Sequence, residues 1–484
     1  MSKVLKDGTV LMFDDTTKSI RVLPKASVLI ENGRITAISE NPDFQIPENA
    51  EVLNVYGKII SPGFINTHIH TWQTVYRTIG PNVFLSQYFE WLGHMSGATA
   101  AFTPDDVYIS SLAGYLEGLH GGVTSYVEHA HNNWKETVVE PGFDAAMDSG
   151  ARVWWCYDVA DRKGFAMKEQ WEALGKLGGK VTEGSLVQMG LSVDGLSGLF
   201  GNDPGGHLGY VPDMIRKLNI QAITMHHLGG PWPARKTAPS DIDLSTFQTT
   251  NIPIIYSHAP FLTDSDQTAL REKDHFVSIT PESEFHFGHG QTTGHLITDQ
   301  ASLGLDTNWT FSGDMLSQTR LWLQNVRLTK SHRTLEAGRL PRTNPFPVEE
   351  AFLMATRQGG RALRRDDIGV IKVGAKADLV VFNGDSPNML GWSDPIAAVV
   401  LHANPGDVEH VLVDGEFRKR NFKLVDRVIA WEKMRERFLE ASRRIQKQIK
   451  EPPPMPERLW GVGEFGDVEM ASTKCYGCGP RGTQ

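Results

Sequence analysis

The chain has 484 residues, 40% of them hydrophobic and 22% charged, with a formal net charge of −9. This composition provides for a large buried core, and the acidic balance excludes the basic groove a nucleic-acid binder needs. No apolar run is long enough to span a bilayer, and three cysteines (Cys156, Cys475 and Cys478) exclude a disulfide framework.

The expected setting is therefore the reducing cytoplasm, with a small-molecule substrate and with neither nucleic acid nor membrane as partner. MSKVLKDGTVLMFDDTT has none of the features of a secretory leader. Residues 1–60 read as short strands and turns, with a hairpin at Asn32-Gly33 between two apolar runs. Next comes SPGFINTHIHTW, residues 61–72. A strand alternates its side chains, so His68 and His70 on a strand Phe64–His70 point the same way. Two neutral imidazoles converging at a strand end can begin a metal site. The plain alternative is a pair of polar residues on a solvated face.

Beyond His70 the pattern becomes apolar strands alternating with amphipathic helices. Thr103-Pro104 predicts a helix start, with Ile109, Leu112, Leu116 and Leu119 on its apolar face and Gly121-Gly122 as its stop. Seven further strands are predicted at Val123–Glu128, Arg152–Tyr157, Val187–Val193, Ile220–His227, Ile252–His258, Phe276–Thr280 and Ala301–Asp306. From His68 to Asp306 the steps average about 34 residues, near the roughly 31 per unit of an eightfold βα barrel. The first step is long and aromatic (Trp72, Phe84, Tyr88, Phe89, Trp91), which predicts a loop over the barrel mouth. An open, doubly wound sheet is the competing architecture.

The fold expected is thus α/β: a (β/α)8 barrel over 61–376, with a small β-sandwich-like domain from both chain ends, 1–60 and 377–425. Residues 426–484 read as a helix and a tail. The helix, from Trp431 to Lys450, has a packing face at Trp431, Met434, Phe438 and Leu439. Cys475 and Cys478 form a CxxC that no second pair completes, so the expectation is a tail bearing two thiols.

The ordered set PGFINTHIH, HHLGG, SHAPFLTDSD and LGLDTNWTFSGDML, closed by Met354–Gly359 and Val373–Phe382, resembles the amidohydrolase superfamily. Within it, the match is to the aminohydrolase and chlorohydrolase group related to cytosine, guanine and triazine hydrolases, and it spans about residues 25 to 425. The resemblance implies that His68, His70, His227 and Asp306 hold a metal, with His227 opening the family's HxxE. His226 then faces away and is structural. Three histidines and a carboxylate suit one Zn2+, with Fe2+ the next candidate. Val187–Val193 has no lysine to bridge a second ion.

By the same resemblance Asp306 takes the proton of the attacking water, and His258 stands beside the metal, bonded to substrate or water. Gly230 occupies the place of the HxxE glutamate that shuttles protons in the family's deaminases. Glu282, Glu284, His286 and His289 after the seventh strand are substrate-contact candidates. So are Glu128, His129 and His131 after the second, and Asp314, whose plainer role is a helix cap. Trp72, Gln73 and Trp91 are expected to wall the pocket. The activity implied is hydrolysis of a non-peptide C–N bond in a cyclic or aromatic small molecule, by deamination or by amide or lactam ring opening. Dechlorination, C–C cleavage such as decarboxylation, or an inactive scaffold are the alternatives. A homodimer is the expected assembly.

Overall fold

The computed structural model describes residues 2–196, 207–233, 237–242, 252–471 and 473. Eight parallel strands form one sheet, paired in chain order: β1 (Phe64–Ile69), β2 (Val123–Ala130), β3 (Arg152–Asp158), β4 (Val187–Ser192), β5 (Ile223–Gly229), β6 (Ile254–Phe261), β7 (Phe276–Ile279) and β8 (Ala301–Leu303). Every strand lies within three residues of its predicted bounds. The seam between β8 and β1 is joined by Leu305 N–H and Asp306 N–H, which donate to the His68 carbonyl at 3.0 and 2.8 Å, and by His70 N–H, which donates to the Asp306 carbonyl at 2.8 Å. The open-sheet alternative is thereby excluded. The closing bonds also bring Asp306 beside His68 and His70.

The barrel interior is layered. Ile65, Val127, Trp154, Cys156, Ile255 and Phe276 pack as an apolar floor. Above them the Thr67 hydroxyl bonds those of Ser278 (2.7 Å) and Ser302 (2.8 Å). The histidines lie above these, at the C-terminal strand ends. The helix Pro104–His120 starts as its sequence predicts: the Thr103 side chain accepts from Asp106 N–H, and the Asp106 carboxylate accepts from Thr103 N–H at 2.7 Å. A cap of this kind contributes about 1 kcal/mol.

The second sheet is mixed, with nine strands among the described residues drawn from both ends of the chain. Its predicted hairpin is present, with Asn32 and Gly33 at φ 49° and 74°, the left-handed pair that a tight two-residue turn requires. Strand Ile59–Pro62 pairs with Lys3–Asp14 on one side and with Leu379–Phe382 on the other. Arg152, opening β3, ties the two sheets through a bidentate pair with Asp378 at 2.8 and 3.1 Å. Both partners are buried, so removing either one alone costs roughly 3–5 kcal/mol.

The C-terminal helix Trp431–Gln448 buries Met434, Ala441 and Ile445. It grips the segment that follows His70: the Ser442 hydroxyl donates to the Val75 carbonyl (2.9 Å), and Gln446 Nε2 donates to the carbonyls of Val75 (2.8 Å) and Arg77 (3.0 Å). Trp91 Nε1 donates to the Ile449 carbonyl at 2.8 Å, so this ring braces the helix end. Among the described residues no helix is long and apolar enough to cross a membrane. Cys475 and Cys478 lie outside the described residues.

Candidate metal centre and active site

Directly paired residues of neighbouring strands project to the same side of a sheet. His226 pairs with Ser257, and His227 pairs with His258. Ser257 faces the barrel axis, because its hydroxyl bonds His68 Nδ1 at 2.8 Å. His226 therefore faces the axis too, and its ring centroid lies 4.8 Å from that of His68 and 5.3 Å from that of His70. His227 turns outward to Thr237, its Nδ1 lying 3.2 Å from the Thr237 hydroxyl. The fifth-strand histidine that reaches this centre is thus His226 and not the expected His227. His258 reaches the same centre from the other parity because the backbone reverses there: His258 and Ala259 have φ 71° and 46°. Asp306, at φ 66°, is turned inward the same way. Side chains held in this left-handed region concentrate at functional sites.

The imidazoles are clamped through Nδ1. His70 Nδ1–H donates to the His129 carbonyl at 2.7 Å, and His226 Nδ1–H donates to Asp194 Oδ2 at 2.5 Å. His258 Nδ1 lies 2.8 Å from the Thr280 hydroxyl, which in turn donates to Glu284 Oε1 at 3.3 Å. Each clamp fixes the ring and leaves Nε2 as the nitrogen with a bare lone pair. His68 Nε2 and His70 Nε2 lie 3.3 and 3.4 Å from Asp306 Oδ1, while Asp306 Oδ2 accepts from Ser283 at 2.6 Å. His68 Nε2 makes no hydrogen bond among the described residues although it is fully buried.

Burial holds His68 well below the ordinary imidazole pKa and His70 at about 4. Burial also works against the Asp306 carboxylate, but the close approach of the His68 ring and the other surrounding imidazoles outweigh it and keep that group well below the usual range. Neutral imidazoles with oriented lone pairs beside an ionised carboxylate are the donor set of a divalent cation. Two overlapping groups fit one: His68, His258 and Asp306, and His68, His129 and His226.

Around this centre the other candidates separate. His129 lies 4.3 Å from His226 between ring centroids, with Nε2 2.6 Å from the Ser192 hydroxyl. His131 stacks on His70 at 3.9 Å and accepts from Trp72 Nε1 at 2.8 Å, so Trp72 supports that stack from behind. Gln73 Nε2 donates to the Tyr88 hydroxyl at 2.8 Å. Glu128 is buried on the Thr71 hydroxyl and pushed up to about 8 by that burial.

Glu284 is fully buried, bonded to Thr280 N–H (2.9 Å) and Gln291 Nε2 (2.8 Å), and lies 3.6 Å from His258 Nδ1. Glu282 pairs with Gln318 Nε2 at 2.8 Å and is pushed up to about 7, first by burial and then by Asp314. His286 turns to Phe311 and takes no part in the cluster, whereas His289 lies 4.7 Å from His258. Asp314 caps the helix Met315–Glu336 through Ser317 N–H. Asp194, Ser257, Thr280 and Ser283 were not singled out from the sequence. The signal available was position, since Asp194 and Thr280 follow the C-terminal ends of β4 and β7.

Three residues after His226 stands Gly229, so this glycine occupies the place expected at Gly230. Gly229 and Gly230 have φ 72° and 57°. A Cβ on Gly229 would come within 3.0 Å of the Phe261 carbonyl oxygen, and one on Gly230 within 2.6 Å of the Phe261 ring. A glutamate at either position would be strained by the left-handed backbone and crowded by Phe261.

The buried histidines set the acid stability of the metal-free protein. His68, His70, His129, His131 and His289 all have folded pKa values lowered by burial. Below pH 6.5 the unfolded chain binds more protons at these groups, so stability falls as pH drops, through about 4 for His70. His226 has the opposite sign: burial opposes its protonation, but Asp194 outweighs burial and raises it, so it adds stability on the acid side. His70 alone costs roughly 2 kcal/mol by pH 5. The melting temperature of chelator-stripped protein is expected to fall by on the order of 10 °C between pH 7 and pH 5. An unchanged melting temperature would contradict the burial of the cluster.

The chain is similar to known proteins over most of its length. The model of the amidohydrolase family matches residues 59–418. The 5-methylthioadenosine/S-adenosylhomocysteine deaminase of Dictyoglomus turgidum is 25% identical over 422 residues, covering 84% of this chain and 92% of that one. An adenosine deaminase from Xanthomonas campestris, solved with bound zinc, superposes with a TM-score of 0.74 at 18% identity, covering 93% of this chain and 98% of that one. The atrazine chlorohydrolase of Arthrobacter aurescens TC1, solved with zinc, gives 0.73 at 17% identity over 91% of this chain and 100% of that one. With the match running from the strand before β1, through the barrel, into the C-terminal part of the mixed sheet, this chain belongs to the amidohydrolase family.

Proposed function

We propose that the protein is a metal-dependent hydrolase that removes an amino group from a nitrogen heterocycle, with a single zinc ion held by His68, His70, His226 and Asp306. The observation that carries this reading is the convergence of these four side chains from β1, β5 and the end of β8, with His70 and His226 clamped through Nδ1 and Asp306 through Ser283. A bound divalent ion supplies positive charge that brings the pKa of a water to about 7.

The chain's own groups do the rest. Asp306 accepts the water's proton as the oxygen bonds to the ring carbon. Ser283 holds its second oxygen, so the carboxylate keeps one orientation throughout. His258, fixed on Thr280, turns the lone pair of its Nε2 toward the attacking water and orients it by accepting a hydrogen bond. Asp306 then returns the proton to the leaving nitrogen, the C–N bond breaks, and ammonia departs.

Similarity to deaminases of adenosine-type compounds, in sequence and in fold, supports an amino-purine as the substrate class. A second reading has its own support: with Gly229 in place of the glutamate of HxxE, Asp306 is left to carry the proton traffic, and it suffices for opening a ring amide. Zinc-loaded protein assayed over amino-purines, their nucleosides and cyclic amides separates the two. The expected result is ammonia release from an amino-purine, abolished by chelation and restored by zinc. Ring-opened product without ammonia favours the second reading, and the absence of either product from protein that retains zinc overturns both.

A further inference from the structure

His289 is 2% exposed, and neither of its ring nitrogens has a hydrogen-bond partner among the described residues. Its ring stands at 83° to that of His258, with centroids 4.7 Å apart. The other rings about it are Phe287, parallel at 6.1 Å, and Trp232, near-perpendicular at 6.3 Å. Such an apolar surround suits a leucine or phenylalanine, and an imidazole left unpaired there is unfavourable.

The placement is built by the backbone. Gly288 and Gly290, at φ 73° and 80°, bracket the residue and swing it inward, and Trp232 Nε1 holds its carbonyl at 3.2 Å. A buried polar group kept unpaired by a made-to-measure turn, beside His258 of the proposed reaction centre, calls for a ligand to complete it. A neutral imidazole offers one N–H and one bare nitrogen, which match the ring nitrogens of a heterocycle. The separation from His258 is shorter than a bicyclic heterocycle, so one planar ligand reaches both.

We propose that His289 is a specificity-determining residue that hydrogen-bonds a ring nitrogen in the six-membered ring of a bicyclic heteroaromatic substrate. The proposal rests on the reading of the site as one for amino-purines, but it is tested by binding. The probes are purine and adenine against benzimidazole and indole, which keep the bicyclic shape but lack nitrogens in the six-membered ring. Isothermal titration of the zinc-loaded full chain is expected to show purine and adenine bound about tenfold or more tighter than benzimidazole.

His289→Phe should erase that preference while benzimidazole binding and zinc content stay unchanged, and His289→Asn should restore part of it. A purely structural role would instead lower melting temperature and affinity for all four probes together, and the asparagine variant would restore nothing selective. The proposal is overturned if wild type shows no preference or binds none of the probes, or if His289→Phe keeps the preference. A His289-dependent preference without ammonia release from adenine would sink the catalytic reading and leave this one standing. Deamination with an unaltered KM in His289→Phe would do the reverse.

Discussion

Asp306→Asn is expected to lower turnover by about 10²–10⁴-fold with little change in the melting temperature of the chelator-stripped protein. Asparagine is the informative replacement, because it tolerates the left-handed backbone at φ 66° and can still accept the Ser283 hydrogen bond. What it loses is the negative charge facing His68 and His70 and the ability to hold a proton. Zinc content, measured by atomic absorption, should fall with activity. Full zinc and full activity in the folded variant would show that this carboxylate is neither ligand nor proton carrier, and the hydrolytic proposal would fail with it.

His226→Ala is expected to abolish tight zinc binding, whereas His227→Ala leaves both zinc and turnover close to wild type. The difference follows from register: His226 shares the inward level of Ser257, and His227 faces Thr237. Asp194→Asn should weaken zinc by about 10–100-fold, because it removes the charge that fixes the His226 tautomer. Competition against a chromogenic chelator measures all three variants on one scale. The opposite ranking, with His227→Ala losing the metal, would mean that β5 is out of register by one residue.

The barrel was legible in the sequence because it rests on a repeated signal: apolar runs at regular spacing with histidines at their ends. His68 and His70 follow from strand alternation within one segment. His226 does not, since choosing between adjacent histidines requires knowing which face of β5 points inward, and that is set by pairing with β6. Alternation would also have sent His258 outward, had its left-handed backbone not reversed the strand there.

The residues that orient the proposed ligands were the least visible. Asp194, Ser257, Thr280 and Ser283 gain meaning only when closure brings them against imidazoles or a carboxylate from elsewhere in the chain. The bracing role of Trp91 was hidden for a related reason: its partner, the Ile449 carbonyl, arrives from the far end of the polypeptide.

Strand Ile59–Pro62 is fully buried, and one of its two edges is covered by Leu379–Phe382. On a ribosome adding 5–20 residues per second, the covering strand is made roughly 15 to 60 s after the edge it protects. For that interval the nascent amino-terminal strands present unpaired main-chain groups and apolar side chains to any other chain nearby. Nascent chains stalled before residue 379 should accordingly be captured by chaperones or aggregate, even with the whole barrel already synthesised.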